Sequence, residues 1–526
     1  MNSIRLTLLL ACLLLFSAPT ATHAQNTCGV VDSIELPVDD LNWQFDDFAL
    51  YRERFGGNHL GSDLAFDRWG DPVYAAMRGR VTVSNLREWG SEKGVVVLQH
   101  ILPDSSFIYT VYGHMEETDQ YTFPPLNSCV EGGQVIGSIG WPSLGRPHLH
   151  YEIRKGLPNE GGPGYTQGNP LTEGWFHPLD FTFTWRARLN PAFRSVLNFD
   201  TAPTVPPVLT DTGGYALGGA TALSVLAADG RPAWRVAKEG IVAGLVALPG
   251  DRLVARTQNG DVFSLQTGRY LGVWKMPGAD VPFAALGEVL VFPVEDGTLT
   301  AFDTLGNQLW SVPGQAEARL TAFRWNGGRA LLVLADGTGL RLRQVIADGT
   351  VIAEAQLTRL DAIAPLPDTT WLLLSGNALY HWRSPDLVEI ATISPPGGDA
   401  AALVYSPDGS VFIYTGGESP ALVRLGPDGL IRWAVPYPAG GTLPPLMAVG
   451  TGCALYTLDA TGVLHVFRAE DGSEATQLPF YTGGRRSNSA NARLLRADLA
   501  EQVTVSAGFL SLMTFDGRVL SNGACG

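Results

Sequence analysis

Cysteine, basic residues and long apolar runs are all scarce in this chain of 526 residues. Only five cysteines occur, and no two of them have the CxxC spacing of a structural zinc site. Lys and Arg number 36 against 51 Asp and Glu, which gives a formal net charge of −15 at pH 7. An acidic chain argues against a nucleic-acid partner, so we expect none. Beyond residue 24 no uninterrupted apolar stretch reaches membrane-spanning length, so we expect no transmembrane segment.

The first 24 residues have the order of a secretory signal peptide. Arg5 precedes an apolar run from Leu6 to Phe16, and small residues follow it as far as Ala24. This run is too short for a permanent membrane helix, and its flanks are those of a cleaved signal. We therefore expect cleavage after Ala24 and a secreted protein that is located outside the cell, in the cell envelope or in the periplasm.

Four cysteines remain after the signal peptide, two in the first third of the chain and two near its end. In an oxidising compartment this distribution favours the disulfides Cys28–Cys129 and Cys453–Cys525. Four cysteines allow three connectivities, so the pairing is a hypothesis at this point.

The histidines divide the chain into two regions. Most of those beyond the signal peptide precede residue 190, and the others are His381 and His465. Between the regions, Pro, Thr and Gly accumulate without apolar periodicity, as in a linker. We predict a signal peptide at 1–24, a histidine-rich domain at 25–190, a linker at 191–210 and a second domain at 211–526.

The second region repeats a short apolar strand, a turn rich in Asp and Gly, and another strand. The turns lie near positions 229, 268, 306, 348, 386, 428, 471 and 516. Their spacing of about 40 residues is the length of four short antiparallel strands. Each unit has a face that its neighbour must cover, and only a closed ring covers all of them. The pattern predicts a β-propeller of about eight blades, with seven as the alternative.

Several of these turns are followed by tryptophan, namely Trp234, Trp274, Trp310 and Trp433. In this the units resemble the quinoprotein-type (pyrroloquinoline-quinone-like) propeller repeat over roughly residues 211–526. Quinone-binding members of that superfamily use a cysteine pair that this sequence does not contain, so the resemblance implies the fold without the cofactor. We expect a binding or scaffolding propeller with a protein or glycan ligand.

Three short motifs in the first region carry side chains suited to zinc. They are HxGxD with His59 and Asp63, YGH with His114, and HLH with His148 and His150. In an extended strand the last two histidines point to the same face. A catalytic zinc takes three protein ligands and leaves one position for water. The helical alternative HExxH is absent from the sequence.

The HxGxD motif fits a turn that leads into a strand better than a helix. Gly61 disfavours a helical pairing of His59 and Asp63. With strand periodicity, Asp63 lies on one face and Leu64 and Phe66 lie on the core face.

In this order the three motifs resemble those of the lysostaphin-type (LytM-like) zinc endopeptidases, which cut the peptide cross-links of bacterial peptidoglycan. The resemblance spans roughly residues 50–185 and implies an antiparallel-sheet peptidase domain, so the whole chain is expected to be all-β. It implies that His59, Asp63 and His150 hold Zn²⁺ and that His114 and His148 are the catalytic pair. Members that have lost activity usually lack one or more of these five residues, and all five are present here.

The first functional hypothesis is therefore a secreted zinc metalloendopeptidase that hydrolyses peptidoglycan cross-links, with the propeller as an accessory binding module. The alternative is a protein-interaction or envelope scaffold built on the propeller, with a non-catalytic or regulatory peptidase-like domain. The sequence does not decide which of His114 and His148 is the general base. For His100, Tyr112 and His177 we expect structural roles, since none of them matches a zinc-binding position.

Overall fold

The computed structural model describes most of the chain beyond the signal peptide. The described residues are 28–41, 47–89, 93–142, 145–199, 203–229, 231–276, 283–294, 296–314, 318–393, 400–438, 443–480, 493–507 and 511–525. The signal peptide expected at 1–24 lies outside them. They divide into two compact units with the boundary at Pro178, which is earlier than the position 190 expected from the sequence. None of the helices in this described part is both long and apolar enough to cross a membrane.

The first unit is a small sheet and a large antiparallel sheet. The small sheet has the order β1-β2-β11, and the large one runs β12-β10-β7-β6-β5-β8, with β3 beside β10 and with β9 pairing both β7 and β4. The strands are β1 (Tyr51–Arg52), β2 (Gly57–His59), β3 (Gly61–Leu64), β4 (Pro72–Tyr74), β5 (Gly79–Trp89), β6 (Lys93–Ile101), β7 (Phe107–Glu116), β8 (Cys129–Val130), β9 (Val135–Ile139), β10 (Leu149–Arg154), β11 (Tyr165–Thr166) and β12 (Trp175–Phe176).

The centre of the large sheet is buried on both faces. Strand β6 contains the run Val95–Leu98, whose side chains are all buried, and every residue of β10 is buried too. β-Branched and aromatic residues fit such strands because they pack well on a pleated surface. The disulfide Cys28–Cys129 ties the segment before β1 to β8, which confirms the first predicted pair.

The second unit begins with a helix and a strand and then forms successive four-stranded antiparallel sheets. The helix is α1 (Pro178–Arg188), the strand is β13 (Phe193–Asn198), and a short helix α2 (Gly517–Leu520) follows the last strand. Eight four-stranded sheets are described. The strands of the first four are β14 (Val208–Leu209), β15 (Tyr215–Gly218), β16 (Ala222–Leu226), β17 (Pro232–Ala237); β18 (Val242–Leu248), β19 (Arg252–Thr257), β20 (Asp261–Gln266), β21 (Arg269–Lys275); β22 (Ala284–Leu286), β23 (Val289–Pro293), β24 (Leu299–Phe302), β25 (Gln308–Val312); β26 (Arg319–Asn326), β27 (Arg329–Asp336), β28 (Gly339–Ile346), β29 (Val351–Leu357).

The remaining four sheets continue the same pattern. Their strands are β30 (Ala362–Pro365), β31 (Trp371–Ser375), β32 (Ala378–Arg383), β33 (Asp386–Thr392); β34 (Ala400–Tyr405), β35 (Val411–Thr415), β36 (Ala421–Leu425), β37 (Ile431–Pro436); β38 (Leu446–Val449), β39 (Ala454–Leu458), β40 (Val463–Arg468), β41 (Glu474–Pro479); and β42 (Leu494–Ala497), β43 (Gln502–Ser506), β44 (Ser511–Asp516) with β13.

Each sheet is covered by the next one along the chain. The first strands of neighbouring sheets contact each other, as β18 does with β22 and β34 with β38. Second strands such as β35 are buried throughout, whereas fourth strands such as β37 alternate between exposed and half-buried residues. This gradient follows from sheets that pack face to face and expose their last strand. The predicted all-β propeller fold is confirmed.

Strand β13 completes the last sheet from the other end of the sequence. It pairs antiparallel with β44, with Val196 opposite Met513. Leu197 is buried in one cluster with Leu512 of the last sheet and Leu217 of the first. The segment 191–210 that we expected to be a linker therefore contains a strand of the propeller. Its partner is far away in the sequence, so local composition gives no sign of the pairing.

The disulfide Cys453–Cys525 joins the sheet β38–β41 to the segment after α2, and this confirms the second predicted pair. It closes a loop of 72 residues. We expect the double variant Cys453→Ser, Cys525→Ser to lower the free energy of unfolding of the second unit by about 2–5 kcal/mol, because the bond restricts the unfolded chain. Urea unfolding followed by tryptophan fluorescence measures this free energy of unfolding. Zinc content serves as the control and should not change; an unchanged unfolding midpoint would contradict the prediction.

Candidate functional site

The predicted zinc-binding motifs converge on β10. His150 lies in β10, directly opposite Asp63 of β3 on one side and Gly113 of β7 on the other. His59 ends β2, and only Leu60 separates it from the start of β3. The two ends of HxGxD therefore reach β10 through two short strands, β2 and β3, which one residue separates.

We call His59, Asp63 and His150 the ligand cluster. One atom of each side chain points towards the other two side chains. Nε2 of His59 is 3.0 Å from Nδ1 of His150 and 3.5 Å from Oδ1 of Asp63, and Nδ1 of His150 is 3.4 Å from the same Oδ1. Tetrahedral zinc with bonds of about 2.0–2.1 Å separates its ligand atoms by about 3.3–3.4 Å. The three distances fit that requirement.

The outward nitrogens of both cluster histidines face buried carboxylates. Nδ1 of His59 is 3.1 Å from Asp47, and Nε2 of His150 is 3.2 Å from Glu152. With a metal bound, a proton on the outward nitrogen beside each carboxylate would leave the inward nitrogen of the ring with the lone pair that the metal needs. Glu152 is in turn bound by Arg154 at 3.0 Å and by the indole N–H of Trp175 at 2.8 Å.

Asp63 supplies a buried oxygen that lies among ring nitrogens. Its Oδ1 atom is buried and has no hydrogen bond of normal geometry, although ring nitrogens of all three neighbouring histidines lie within 3.6 Å. Burial alone would raise the pKa of Asp63, but the charges of His59 and His148 and the contact with His150 hold the pKa well below its ordinary value. An ionised, buried oxygen between imidazole nitrogens is a donor suited to a divalent cation.

Two ionised carboxylates act on His150 from opposite sides. Burial lowers its pKa, but Asp63 and Glu152 outweigh burial and raise the pKa to about 9. The contact with His150 in turn lowers the pKa of Glu152 against the effect of burial. The cluster therefore attracts positive charge at neutral pH, and a metal ion at Nδ1 would replace the proton held there.

His148 lies immediately before β10 and points to the ligand cluster without belonging to it. Its Nδ1 donates to the main-chain carbonyl of Arg146 at 2.8 Å, and its Nε2 is 3.6 Å from Oδ1 of Asp63. The ring of Phe66 stacks on it with centroids 5.2 Å apart. The side chain of His148 is therefore held in place, and its Nε2 faces the cluster.

His114 faces His148 from β7. The two rings meet edge to face with centroids 4.6 Å apart, and the ring of His150 lies 6.4 Å away. Burial, with the charges of His148 and His150, lowers the pKa of His114 well below its ordinary value, so this ring is neutral. Its backbone has a φ of 58°, and its carbonyl accepts a hydrogen bond from the N–H of Gly140. This left-handed conformation turns the His114 side chain out of the regular strand pattern.

Phe66 corrects the strand assignment made from the sequence. Strand β3 ends at Leu64, and Ala65 has a φ of 54°. The alternation therefore stops before Phe66, which is half-buried against His148 instead of lying in the core. Leu64 does lie in the core as expected.

The three residues for which we expected structural roles, His100, Tyr112 and His177, contact other residues inside the first unit. His100 donates from Nδ1 to the carbonyl of Arg78 and accepts at Nε2 from Thr110, and burial lowers its pKa to about 4. The Tyr112 hydroxyl accepts from the N–H of Ala76, and burial raises its pKa to about 12. His177 is buried beside Phe48.

Sequence reasoning missed three residues around the cluster. Glu152 is two positions after His150, so the period of a strand places both on one face and could have revealed it. Asp47 precedes the HxGxD motif without any motif of its own. Tyr165 of β11 lies opposite His59, with ring centroids 5.2 Å apart, and burial together with the charge of Asp63 raises its pKa. Only the fold brings these last two side chains to the site.

Residues 57–165, which contain the ligand cluster, His114 and His148, match the model of peptidase family M23. The first unit thus contains an M23 peptidase domain. Residues 219–369 match the family model described as outer membrane protein assembly factor BamB. The chain is therefore a peptidase-domain and propeller protein. No curated protein matches it.

The chain is also similar to parts of known structures, at low sequence identity. BamB from Moraxella catarrhalis is 14% identical with a TM-score of 0.47, and the alignment covers 62% of this chain and 99% of that one. Sqt1 from Saccharomyces cerevisiae is 13% identical with a TM-score of 0.44, and the alignment covers 62% of this chain and 97% of that one.

Gly61 of the M23 domain leaves no room for a side chain. A Cβ atom there would lie 2.6 Å from Nε2 of His150 and 2.6 Å from the carbonyl oxygen of Tyr151. We expect Gly61→Ala to displace the His150 ring and to lower zinc affinity by about 10–100-fold, as for lost orienting contacts at metal sites. Competition with a chelating dye measures the affinity. Gly156→Ala is the matched control, since a Cβ there meets nothing within 4 Å; equal affinity in both variants would contradict the prediction.

Proposed function

We propose that this protein is an exported zinc metalloendopeptidase that hydrolyses the peptide cross-links of bacterial peptidoglycan. In this proposal the M23 domain is the catalytic part and the propeller is an accessory binding module. The observation that carries it is the approach of two imidazole nitrogens and one carboxylate oxygen to within 3.5 Å of each other. Two further histidines lie beside them.

His59, Asp63 and His150 would hold the zinc ion. Bound there, zinc supplies a water of lowered pKa and polarises the scissile carbonyl. Asp47 and Glu152 orient the two ligand rings and keep their inward nitrogens available, as carboxylates do around other metal-binding histidines. Both outer carboxylates are buried, so water does not compete for their contacts with the two rings.

His148 is the proposed general base. Its Nδ1 proton is committed to the Arg146 carbonyl, so Nε2 is the atom that can accept a proton. That nitrogen faces the ligand cluster, where the attacking water would lose its proton. Phe66 and the carbonyl together prevent the ring from turning away.

His114 is the proposed hydrogen-bond donor to the carbonyl oxygen that becomes negative during attack. Its lowered pKa keeps the ring neutral, and a neutral imidazole donates through its one N–H. A neutral donor does not repel the metal ion beside it. In this assignment the two histidines outside the ligand cluster divide the proton-transfer and oxyanion roles between them.

Two exposed tryptophans offer a surface for the polymer. Trp69 is 57% exposed and Trp141 is 52% exposed, with ring centroids 5.8 Å apart. Trp141 directly follows Gly140, whose N–H binds the carbonyl of His114. Neighbouring large apolar side chains on a surface indicate an interaction site. We propose that this pair contacts the substrate next to the scissile bond.

The match of the propeller to the BamB family supports a location in the cell envelope or periplasm. The two disulfides support the same compartment, since such bonds persist outside the reducing cytosol.

Digestion of defined muropeptides tests the proposed function. The purified mature protein is incubated with cross-linked muropeptides alone, with a chelator, and with the chelator followed by added zinc. We expect cleavage of a peptide bond that the chelator stops and zinc restores. Binding to peptidoglycan that is independent of zinc and occurs without cleavage would reject the peptidase and support the scaffold alternative.

A further inference from the structure

Two stacked aromatic side chains lead from the ligand cluster to the protein surface. Tyr165 of β11 lies opposite His59 of β2 in the small sheet, and their ring centroids are 5.2 Å apart. The ring of Phe55 stacks on the ring of Tyr165, with centroids 4.4 Å apart and 17° between the ring planes. Phe55 is 53% exposed. We call Phe55 and Tyr165 the aromatic wall, which begins beside a proposed zinc ligand and ends in solvent.

The turn between β1 and β2 holds Phe55 in this position. The N–H groups of Phe55 and Gly56 both donate to the main-chain carbonyl of Arg52, at 3.0 and 2.9 Å. The side-chain amide of Gln167 donates to the carbonyl of Gly56. Since Gln167 closely follows β11, this bond ties the turn to the segment that carries the other ring of the aromatic wall.

Arg54 places a cation at the outer end of the aromatic wall. Its guanidinium carbon lies 5.2 Å from the centre of the Phe55 ring, within the range of a cation–π contact. Arg54 is exposed, and in the ranges that the structure describes no carboxylate forms an ion pair with it. Arg52, by contrast, is paired with Asp47 at 3.2 Å. In a chain with a net charge of −15, an unpaired guanidinium beside the candidate site is a feature that calls for an anionic ligand.

Both ends of the aromatic wall act electrostatically on the Tyr165 hydroxyl. Burial is the largest cause of the raised pKa of Tyr165, and the charge of Asp63 adds to it. The charges of Arg52 and Arg54 oppose this rise. The hydroxyl therefore lies within reach of the ligand cluster and of the cation, which agrees with the short ring-to-ring distances.

The position of Arg54 suits a carboxylate on a bound peptide. A guanidinium presents its N–H groups as a planar fork that can bind both oxygens of a carboxylate. The ring separations of 5.2 and 4.4 Å place Phe55 about 10 Å from His59, a distance that an extended peptide covers in about three residues. A carboxylate held by Arg54 would thus lie about three residues from the scissile bond.

We propose that Arg54 binds a carboxylate of the substrate and that the aromatic wall supports the peptide between this carboxylate and the ligand cluster. This inference rests on the proposed peptidase function and names its substrate class: cross-linked stem peptides that carry free carboxylates, in preference to neutral glycine bridges. Arg54 determines specificity through binding and takes no part in bond cleavage. The tryptophan pair near His114 contacts a different part of the substrate.

Binding of two matched muropeptides to the zinc-free protein tests this inference without cleavage. One is a fluorescently labelled, cross-linked muropeptide, and the other is the same molecule with its free carboxyl groups converted to amides. Fluorescence anisotropy with the full mature protein, treated with a chelator, measures both affinities. We expect the carboxylate form to bind roughly threefold to tenfold more tightly, as for a solvent-exposed charge-assisted contact. Added salt should reduce this preference, because it screens exposed charges.

Variants of Arg54 assign the preference to this side chain. Arg54→Gln should bind both muropeptides equally, and Arg54→Lys should keep part of the preference, since it retains the charge without the planar fork. Arg87→Gln is the matched control, because Arg87 is exposed on β5, which β6 and β7 separate from β10, and it should keep the full preference. Equal affinity for both muropeptides in the unmodified protein, or a preference that persists in Arg54→Gln, would overturn the inference.

The zinc-dependent cleavage assay separates this inference from the proposed function. Cleavage that zinc restores, together with equal affinity for the two muropeptides, would reject the carboxylate site and leave the peptidase intact. A carboxylate preference that Arg54→Gln removes, without cleavage in the presence of zinc, would support the binding site and reject the peptidase.

Discussion

Replacing His150 by alanine should remove both bound zinc and peptidase activity. The variant loses one of three proposed ligands and the only side chain that joins the ligand cluster to Glu152. Because the remaining two ligands cannot complete a catalytic zinc site, we expect zinc affinity to fall by more than about 100-fold, beyond the loss typical of outer contacts. Equilibrium dialysis with metal analysis, followed by the muropeptide assay, measures both effects.

The removal of Nε2 also leaves Glu152 with the two donors Arg154 and Trp175. Both donors bind Oε1, so Oε2 of Glu152 loses its contact, and we expect the fold to survive with a loss of stability of about 1–3 kcal/mol. Circular dichroism and thermal unfolding check this. His381→Ala is the matched control, since it removes a histidine from the second unit, and it should retain full zinc content. Normal zinc content in a folded His150→Ala protein would disprove the proposed ligand set.

Replacing His148 by alanine should separate zinc binding from turnover. His148 touches the ligand cluster only through a 3.6 Å contact with Asp63, so the three proposed ligands stay in place. Loss of a general base costs about 10²–10⁴-fold in rate. We therefore expect near-normal zinc content, a similar KM and a fall in kcat of that size, measured on a defined muropeptide.

The same muropeptide assay, applied to a variant of His114, distinguishes the roles of the two histidines beside the cluster. His114→Gln retains a neutral N–H donor near the proposed oxyanion position, so we expect a smaller fall in kcat than for His148→Ala. Full activity in zinc-loaded His148→Ala would contradict its assignment as the base. A greater loss in His114→Gln than in His148→Ala would exchange the two roles.

Patterns that repeat along the chain predicted the fold well. Seven of the eight Asp- and Gly-rich turns are the hairpins before fourth strands, where tight backbone geometry restricts the choice of residue, and the eighth, near 516, leads into α2. The tryptophans at 234, 274, 310 and 433 were also recognisable as part of the repeat, because each of them follows one of these turns. Strand β13 did not, because its pairing with β44 joins residues from opposite ends of the second region and has no local signature.

The candidate site was predictable where the residues form short motifs. The HLH motif at the start of β10 and the HxGxD turn predicted the side chains that the fold brings together. Asp47 and Tyr165 were not predictable, since each reaches His59 only through tertiary packing. Phe66 shows the limit of periodicity: a left-handed residue after Leu64 ends the strand, and alternation no longer decides which way the next side chain points.

The pairing of β13 with β44 has a consequence for how the protein is made. Three strands of the last sheet belong to the final part of the chain, and the fourth precedes all the other sheets. During synthesis or export, β13 emerges early, and about 300 further residues must follow before its partner strand β44 emerges. Until then its free edge, with a row of unpaired amides and carbonyls, is open to strands of other molecules. Chains that stop before residue 511 keep that edge permanently, so premature termination should cause aggregation of the second unit.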